Sequence, residues 1–459
     1  MNVSTKCRIA LLCTNLIATT LVTALPLGTH AEDSTNYYNF TLTPPMGWNS
    51  YDAFGDSVTE AEVLANAHYL KDKLASHGWQ YVVIDYRWYD PGAFNNNPNS
   101  RKGVALTMDQ YGRLLPSPNR FPSAADGQGF KPLADQIHAL GLKFGIHVMR
   151  GIPRLAVKAN LPIEGSDAHA WDATSFSVCG WNPDMLGVDA ESPAGQAYYD
   201  SILRLYAAWG VDFIKVDDLS SPYSTAEVAA IRQAIDKTGR AIVFSTSPGE
   251  TPVRDAAHVA THANMWRVSG DFWDNWQSLD SAFNLAYAWR GVGGPGHWPD
   301  SDMIPLGHIG IRSVDGDRQT RFTHDEQVTL MSLWCILPSP LMLGMNLPDN
   351  DEWTLSLLTN DEALAIDQDA LGKAARRVTK AGTTEVWVKD LKDGSLAIGL
   401  FNRGPAAADV NVAWSDAGLS GQQSIRDIWS HQDLGAFNNQ YSRSVPSHGA
   451  VLLRLQPAK

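Results

Sequence analysis

Cysteine and clustered positive charge are both scarce in this chain of 459 residues. It has four cysteines, and 36 Lys and Arg stand against 49 Asp and Glu, which gives a formal net charge of -13. So few cysteines exclude a disulfide-rich scaffold. An acidic chain without a basic run is a poor partner for nucleic acid or anionic lipid. The patterns G-x-x-x-x-G-K-[ST] and G-x-S-x-G are missing as well, which argues against P-loop enzymes and serine hydrolases. Apolar residues make up 44% of the chain, enough for a large core.

The N-terminal residues 1–31 have the pattern of a secretory signal. Lys6 and Arg8 precede an apolar stretch, and small residues ending at Ala31 form a cleavage site. The alternative, a membrane anchor, is disfavoured because Thr, Asn and Pro interrupt the stretch. We therefore expect an exported protein, periplasmic or secreted, with no membrane attachment after signal removal. Two cysteines leave with the signal, and whether the remaining Cys179 and Cys335 pair stays open.

The rest of the chain divides into two parts with different sequence patterns. Between 32 and 371, apolar runs typical of strands alternate with helical stretches, which predicts a parallel (β/α)8 barrel. An open doubly wound sheet would need a glycine-rich turn after the first strand, and the sequence has none. Between 372 and 459, short alternating runs separated by Gly, Asp and Asn predict a structural antiparallel β-sandwich. The predicted barrel strands are 46–50, 81–85, 144–149, 211–217, 241–245, 265–268, 297–298 and 340–343.

Charged residues gather where these strands end, which is where the active site of a β/α barrel lies. Strand four ends with Lys215 and Asp217, which share one face because side chains alternate along a strand. We expect the two to pair in the barrel mouth, where the cation keeps Asp217 ionised as a nucleophile should be. The alternative is a purely structural ion pair. Strand two ends in Asp85, which is equally suited to cap a helix.

Strands six and seven contribute more carboxylates. Asp271 follows Arg267 and stands among Phe272, Trp273 and Trp276, an apolar setting of the kind that suits a general acid; a loop salt bridge with Arg267 is the alternative. Two further acids follow strand seven. Paired carboxylates flanking a pocket lined with aromatic residues favour glycoside hydrolysis. The strand-seven acids are Asp300 and Asp302.

Histidines offer little sign of a metal site. His258 and His262 have the i, i+4 spacing of a zinc pair, but Val259 stands where a zinc protease carries its glutamate. Ordinary helix or loop histidines are the better interpretation. His147, near the end of strand three, is suited either to bind substrate or to be a satisfied core histidine.

In order along the chain, these residues resemble glycoside hydrolase family 27, which contains α-galactosidases and α-N-acetylgalactosaminidases. Each motif alone is weak, but the ordered set spans about 330 residues. The matching pieces are TPPMGWNS at 43–50, YVVID at 81–85, FIKVD at 213–217, Arg267 with Asp271, GPG at 294–296 followed by Asp300 and Asp302, and AIDQD at 365–369.

The resemblance implies a retaining exo-glycosidase that needs neither a metal nor an organic cofactor. It implies that Asp217 is the nucleophile and Asp271 the acid/base. It also implies that Trp48 is the aromatic floor beneath the sugar. The other residues expected to bind the carbohydrate substrate are Asp85, His147, Lys215, Ser247, Arg267 and Asp302.

Three differences from the usual family 27 sequence bear on which sugar the protein accepts. Galactose-preferring members usually carry a second Asp after Asp85, where this chain has Tyr86. Ser247 matches a serine that makes room for a 2-acetamido group, although the neighbouring Pro248 shifts the alignment. The usual active-site disulfide is expected to be absent, and Arg150 and Arg154 on that loop would meet an extended substrate or pair with acids such as Glu164. Terminal α-galactosyl residues are the leading substrate prediction; α-N-acetylgalactosamine, β-L-arabinopyranose, an α-glucan, or binding without catalysis are the alternatives.

Overall fold

The computed structural model describes residues 36–93 and 105–458. The predicted signal at 1–31 therefore lies outside the described residues. Within those ranges, no helix combines the length and the apolar character that crossing a bilayer would require.

Eight parallel strands form the predicted barrel. They follow one another around the sheet in the order β7-β6-β5-β4-β3-β2-β1-β8. The two end strands are joined through a parallel bridge between Ile304 and Leu343, where the Ile304 amide donates to the Met342 carbonyl at 2.8 Å. The strands are β1 Met46–Asn49, β2 Tyr81–Ile84, β3 Lys143–Met149, β4 Phe213–Asp217, β5 Val243–Thr246, β6 Met265–Arg267, β7 Trp298–Asp300 and β8 Leu341–Leu343.

Helices cross between these strands and cover the barrel. The helix between β1 and β2 begins at Glu60 behind a Thr59–Glu62 capping box and ends in a wider turn, Leu70–Leu74. Caps of this kind satisfy the free amides of a first turn. The α-helices are Tyr51–Phe54, Glu60–Tyr69, Lys131–Ala139, Arg154–Ala159, Ala170–Ala173, Pro193–Ala208, Thr225–Lys237, Ala256–Ala260, Trp276–Ala288, His324–Ile336, Glu352–Leu358 and Asp361–Asp367, with Trp414–Ala417 later in the chain.

A long excursion, residues 150–190, separates β3 from β4. It holds a small antiparallel sheet in which Met185–Val188 lies between Ile152–Pro153 and Thr174–Val178. The sequence did not predict these strands, because four of the five residues in Thr174–Val178 are exposed and show no alternating apolar face. The excursion rises at the end of the barrel where the predicted site residues lie.

The C-terminal part is the predicted antiparallel sandwich. A six-stranded sheet has the order β9-β10-β11-β16-β13-β14, and β12 pairs with β15 in a second sheet. Three of these strands, β9, β14 and β15, were not predicted, because they are largely exposed and polar. The strands are β9 Arg376–Ala381, β10 Thr384–Asp390, β11 Leu396–Asn402, β12 Ala408–Ala413, β13 Gln422–Asp427, β14 Gln432–Asn438, β15 Gln440–Val445 and β16 Ala450–Pro457.

The six-stranded sheet uses its two faces differently, as the alternation of a strand allows. Val386 and Val388 pack in the core between the two sheets, whereas Trp387 from the same strand joins the barrel core. An ion pair between Arg403 and Asp280 at 2.7 Å adds to this contact. The sandwich thus braces the barrel at a distance from the strand ends that hold the predicted site.

Candidate active site

A cavity of about 300 Å³ opens at the C-terminal ends of the barrel strands. This volume lies at the low end of the range for small-molecule pockets. Six of the nine site residues predicted from the sequence line it: Asp85, Lys215, Asp217, Arg267, Asp271 and Asp302. The remaining lining residues are Tyr51, Asp52, Tyr86, Trp181, Pro248, Phe272, Trp273 and Met303.

Asp217 is held at both carboxylate oxygens. Nε2 of His147 lies 2.9 Å from Oδ2, and the Asp218 amide donates to Oδ1 at 2.7 Å. An ionised carboxylate can only accept, so the action of Asp217 as an ionised nucleophile requires the tautomer of His147 that donates from Nε2. His147 itself is fully buried on β3, which runs beside β4. Asp217 therefore presents a fixed carboxylate to the pocket.

The sequence predicts that Lys215 pairs with Asp217, but in the structure it does not. Its Nζ donates to Asp85 Oδ2 at 3.0 Å, because the barrel brings the end of β2 within reach. Burial alone would lower the pKa of Lys215, but the carboxylates of Asp85 and Asp302 raise it above its ordinary value. Lys215 and Asp217 nevertheless both line the pocket, as their shared strand face predicts.

Asp85 is the most heavily bonded acid of the pocket. Its Oδ2 also accepts from Asn49 Nδ2 at 2.8 Å, and its Oδ1 accepts from the Tyr86 amide at 2.8 Å. Burial would raise the pKa of this carboxyl, but Lys215, His147 and these hydrogen bonds hold it well below its usual range. Asp85 is therefore an ionised acceptor suited to a sugar hydroxyl.

Arg267 connects the ends of β6 and β7. Its Nη2 lies 2.8 Å from Asp302 Oδ2 and 3.2 Å from Asp271 Oδ1. The same Asp302 oxygen accepts from the Phe272 amide at 2.8 Å. Burial raises the pKa of Asp302, although the guanidinium of Arg267 opposes that shift. This cluster fixes the start of the loop that carries Asp271.

The sequence predicts that aromatic side chains enclose Asp271, but in the structure they do not. Its side chain is 64% exposed, and the one ion pair it forms is the 3.2 Å contact with Arg267. Phe272 and Trp273 do line the pocket, but Trp276 stacks on His448 of the sandwich with ring centroids 3.7 Å apart. The carboxyl of Asp271 thus stands in solvent at the rim when the pocket is empty.

Three predicted substrate-binding residues lie behind the pocket wall. Trp48 is fully buried, and its indole N–H donates to the Met345 carbonyl at 2.7 Å. It points away from the barrel interior because its neighbour Asn49 takes the inner face. His147 supports Asp217 rather than facing a ligand. Ser247 is also fully buried, and the adjacent Pro248 lines the pocket instead.

Four lining residues, Tyr51, Asp52, Trp181 and Met303, were not predicted from the sequence. Tyr51 and Asp52 follow β1 directly, so the rule that strand ends carry the site could have identified them. Asp52 is buried, and burial together with the nearby Asp302 raises the pKa of its carboxyl well above the ordinary value. Trp181 comes from the excursion, where no sequence signal marked it; its ring meets that of Tyr86 edge-on at 5.7 Å.

A second buried ion cluster lies behind Asp217. Arg150, at the end of β3, contacts Asp218 Oδ2 at 2.8 Å and Glu227 Oε1 at 2.9 Å. Arg150 therefore does not meet substrate or Glu164, which pairs with Arg204 at 2.6 Å instead. The Arg150 amide also donates to the Asp217 carbonyl at 2.9 Å. The cluster joins the ends of β3 and β4 around the predicted nucleophile.

The remaining cysteine and histidine questions are settled within the described residues. Cys179 and Cys335 are both buried and both free. His258 and His262 stack on each other with ring centroids 4.1 Å apart. In the part of the chain that the structure covers, no group of three or more His, Cys, Asp or Glu is arranged to hold a metal ion.

A barrel whose mouth holds buried and rim carboxylates beside a Lys and an Arg is the arrangement of a glycoside hydrolase, and known proteins agree. The "Alpha galactosidase A" family model matches residues 188–369, and the "Alpha galactosidase C-terminal beta sandwich domain" model matches residues 381–455. The α-galactosidase of Coffea arabica is 30% identical over 425 residues, which cover 91% of this chain and 94% of that protein. The chain is a glycoside hydrolase, and it belongs to the α-galactosidase family, glycoside hydrolase family 27.

Solved structures share the whole architecture. A GH27 β-L-arabinopyranosidase from Geobacillus stearothermophilus, solved in complex with arabinose, is 50% identical with a TM-score of 0.89, covering 92% of this chain and 99% of that chain. α-Galactosidase I from Mortierella vinacea is 25% identical with a TM-score of 0.70, covering 91% of this chain and 98% of that chain. The barrel and the sandwich are therefore a shared framework.

Proposed function

We propose that this glycoside hydrolase removes terminal β-L-arabinopyranosyl and α-D-galactosyl residues from glycans, with a preference for the arabinopyranosyl group. The two sugars have the same configuration from C1 to C4, and they differ only by the hydroxymethyl group on C5 of galactose. The observation that carries the preference is Tyr86, an aromatic residue beside Asp85 in the pocket wall. The 50% identity to a β-L-arabinopyranosidase supports it.

Tyr86 affects the C5 substituent in two ways. A carboxylate at this position would accept a hydrogen bond from a 6-hydroxyl, whereas a phenol ring offers mainly apolar surface and takes up more volume. The ring is also confined, because His147 lies 5.6 Å and Trp181 5.7 Å from it between ring centroids. A pentose leaves this packing undisturbed. Removing one favourable group contact from a pocket changes selectivity by roughly 10–200-fold, so we expect a preference of about tenfold or more.

The proposed mechanism is double displacement with retention. Asp217 Oδ attacks C1 while Asp271 protonates the departing glycosidic oxygen, which leaves a glycosyl ester on Asp217. Asp271, now ionised, then takes a proton from water as the water attacks C1 and releases Asp217. This route requires the two carboxyls to stand ~5–5.5 Å apart. His147 and the Asp218 amide hold Asp217 in place through both steps.

The other pocket groups are suited to hydroxyl recognition. Asp85 accepts from a sugar hydroxyl while Lys215 donates to a neighbouring one. Burial raises the pKa of Asp52 well above its ordinary value, which favours the protonated form, and a protonated carboxyl can donate a hydrogen bond. The 2-acetamido alternative loses its main support, since the hydroxyl of Ser247 is buried behind the wall.

The test is a panel of para-nitrophenyl glycosides, with the anomer of the first product followed by NMR. We expect kcat/KM to fall in the order β-L-arabinopyranoside, α-galactoside, then α-N-acetylgalactosaminide and α-glucoside, with retention throughout. A faster α-galactoside would reverse the proposed preference, and an inverted product would overturn the mechanism.

Export is a separate part of the proposal. Lys6, Arg8 and the small residues ending at Ala31 support a signal that is cleaved before Glu32. N-terminal sequencing of the protein recovered from periplasm and medium should start at Glu32. An intact N-terminus on an active cytoplasmic protein would contradict it.

A further inference from the structure

Exposed apolar side chains are concentrated on the excursion beside the pocket. Eight large apolar residues in the described ranges are well exposed, and five of them lie between positions 155 and 181. Single exposed apolar residues need no explanation, but a cluster beside a binding site does. The five are Leu155, Trp171, Phe176, Val178 and Trp181; the other three are Leu42, Val253 and Tyr287.

The excursion holds its aromatic rings outward at a cost in backbone energy. Phe176 has φ of 57°, in the left-handed region that a bulky residue seldom adopts. Residues held in this region cluster at functional sites, where the surrounding structure maintains the strain. Its ring is 50% exposed and meets the ring of Trp171 at 5.0 Å, while Trp171 is 54% exposed.

The opposite side of the same strand is anchored next to the predicted nucleophile. Ser177 Oγ accepts from Arg150 Nη1 at 3.2 Å, and Arg150 belongs to the buried cluster behind Asp217. Gly187 on the neighbouring strand leaves space for this serine, since a Cβ there would lie 2.0 Å from Ser177 Oγ. The outward rings are thus fixed relative to the catalytic strand.

Trp181 belongs both to this set of exposed apolar residues and to the pocket lining. It lines the pocket, yet 42% of its surface is exposed. Phe176 and Trp181 are five positions apart in the sequence, so their Cα atoms are at most about 18 Å apart. A chain of a few sugar units leaving the pocket would span that distance.

We propose that Trp181, Phe176 and Trp171 form a binding strip for the glycan beyond the bond that is cleaved. The strip would hold sugar rings by stacking their C–H faces on the aromatic rings, with the terminal sugar in the pocket. The proposal rests on the proposed function and extends it to substrates longer than a disaccharide. A second protein copy is a poorer occupant: a stable interface needs about 800 Å² per partner, and covering Trp181 would obstruct the pocket.

The experiment compares short and polymeric substrates. Phe176→Ala, Trp171→Ala and the double variant are assayed on para-nitrophenyl β-L-arabinopyranoside and α-galactoside, and on arabinogalactan and galactomannan. Tyr287→Ala, which removes an exposed aromatic ring outside the strip, is the matched control. Aromatic contacts of about 0.5–1.5 kcal/mol predict a threefold to tenfold loss of kcat/KM on the polymers for each variant, mainly through KM. On the short substrates, each variant should stay within twofold of the wild type.

Three results would overturn the strip. Polymer kinetics that are unchanged in the double variant would show that the rings do not bind the glycan. Equal losses on short and polymeric substrates would show that the rings only support the fold. A wild-type dimer that becomes monomeric in the double variant, with polymer kinetics intact, would assign the rings to an interface between copies.

Binding separates this proposal from the proposed function. If the wild type cleaves none of the para-nitrophenyl glycosides, the proposed function fails, but affinity electrophoresis of Asp217→Asn through gels containing each polymer still tests the strip. Retardation that is lost on adding Phe176→Ala and Trp171→Ala supports it. Retardation that persists overturns it.

Discussion

Replacing Arg150 with Met should destabilise the protein strongly, and more so at high pH. The arginine is 8% exposed and faces two carboxylates, Asp218 and Glu227, that are themselves 8% and 7% exposed. Removing one partner from a buried ion cluster typically costs about 3–5 kcal/mol, because the remaining charges are left uncompensated. If urea unfolding shows one transition with a slope of about 3 kcal/mol/M, the midpoint should fall by roughly 1–1.7 M.

The pH dependence identifies the cause. Burial already raises the pKa of Asp218 and Glu227 while Arg150 is present, and removing the guanidinium would raise both further. A carboxyl with a raised pKa in the folded state binds its proton more tightly there than in the unfolded chain. Stability is therefore lost as the pH rises from the pKa of the carboxyl in the unfolded chain, ~4, through its pKa in the folded state. The loss in Arg150→Met should be clearly smaller at pH 5 than at pH 8.

The control is Arg154→Met, four residues along the same excursion and exposed. A surface change of this kind is usually within ±0.5 kcal/mol, so its urea midpoint should match the wild type at both pH values. A loss in Arg150→Met below ~1 kcal/mol, or one that is the same at pH 5 and pH 8, would refute the reasoning that buried carboxylates are left unpaired.

Four further predictions concern the pocket. Asp217→Asn should lower kcat by about four orders of magnitude or more on every aryl glycoside, with circular dichroism unchanged; residual turnover near wild type would assign the nucleophile elsewhere. Asp271→Ala should lose more kcat/KM on poor leaving groups than on good ones, since only the former need a proton, and equal losses would speak against the acid role. His147→Phe removes a charge-assisted hydrogen bond worth about 1.5–3 kcal/mol, so kcat should fall roughly 10–150-fold in steady-state assays; a change confined to KM would contradict this. Asp52→Asn should keep most activity. The raised pKa of Asp52 makes the stability of the wild type fall as the pH rises, so the thermal midpoint of Asp52→Asn should increase relative to that of the wild type between pH 5 and pH 8. A constant difference between the two midpoints would contradict this.

The sequence predicted the strands and the residues at their ends, because both depend on local patterns. An apolar run closed by a charged residue, such as the one ending at Asp217, has the same meaning in any barrel. Alternation along the strand placed Lys215 and Asp217 on one face, and both do line the pocket. The same alternation would have turned Trp48 away from the pocket, because Asn49 and not Trp48 faces Asp85.

Pairing between strands could not be predicted in the same way. Lys215 bonds Asp85 because β2, β3 and β4 are neighbours in the barrel and Lys215 lies level with His147, one residue beyond the pair of Ile84 with Ile146. It is His147 from β3, and not Lys215, that reaches Asp217. Burial was equally hidden: the aromatic sequence around Asp271 suggested an apolar enclosure, yet the side chain is 64% exposed. Neighbours in sequence do not determine which way a loop turns its side chains.

The two proposed catalytic carboxyls are therefore prepared to different degrees before substrate arrives. Asp217 has an 11% exposed side chain held at both oxygens, whereas the side chain of Asp271 is 64% exposed and held at 3.2 Å. A fixed nucleophile needs little reorganisation. A carboxyl in water loses its proton readily, and displacing water from it favours the neutral form, which keeps the proton available for the leaving group. The sugar beyond the cleaved bond is the group placed to displace that water. If Trp181, the ring of the strip that lines the pocket, seats that sugar, it acts on the proton transfer as well as on affinity, whereas Phe176 and Trp171 act mainly on KM.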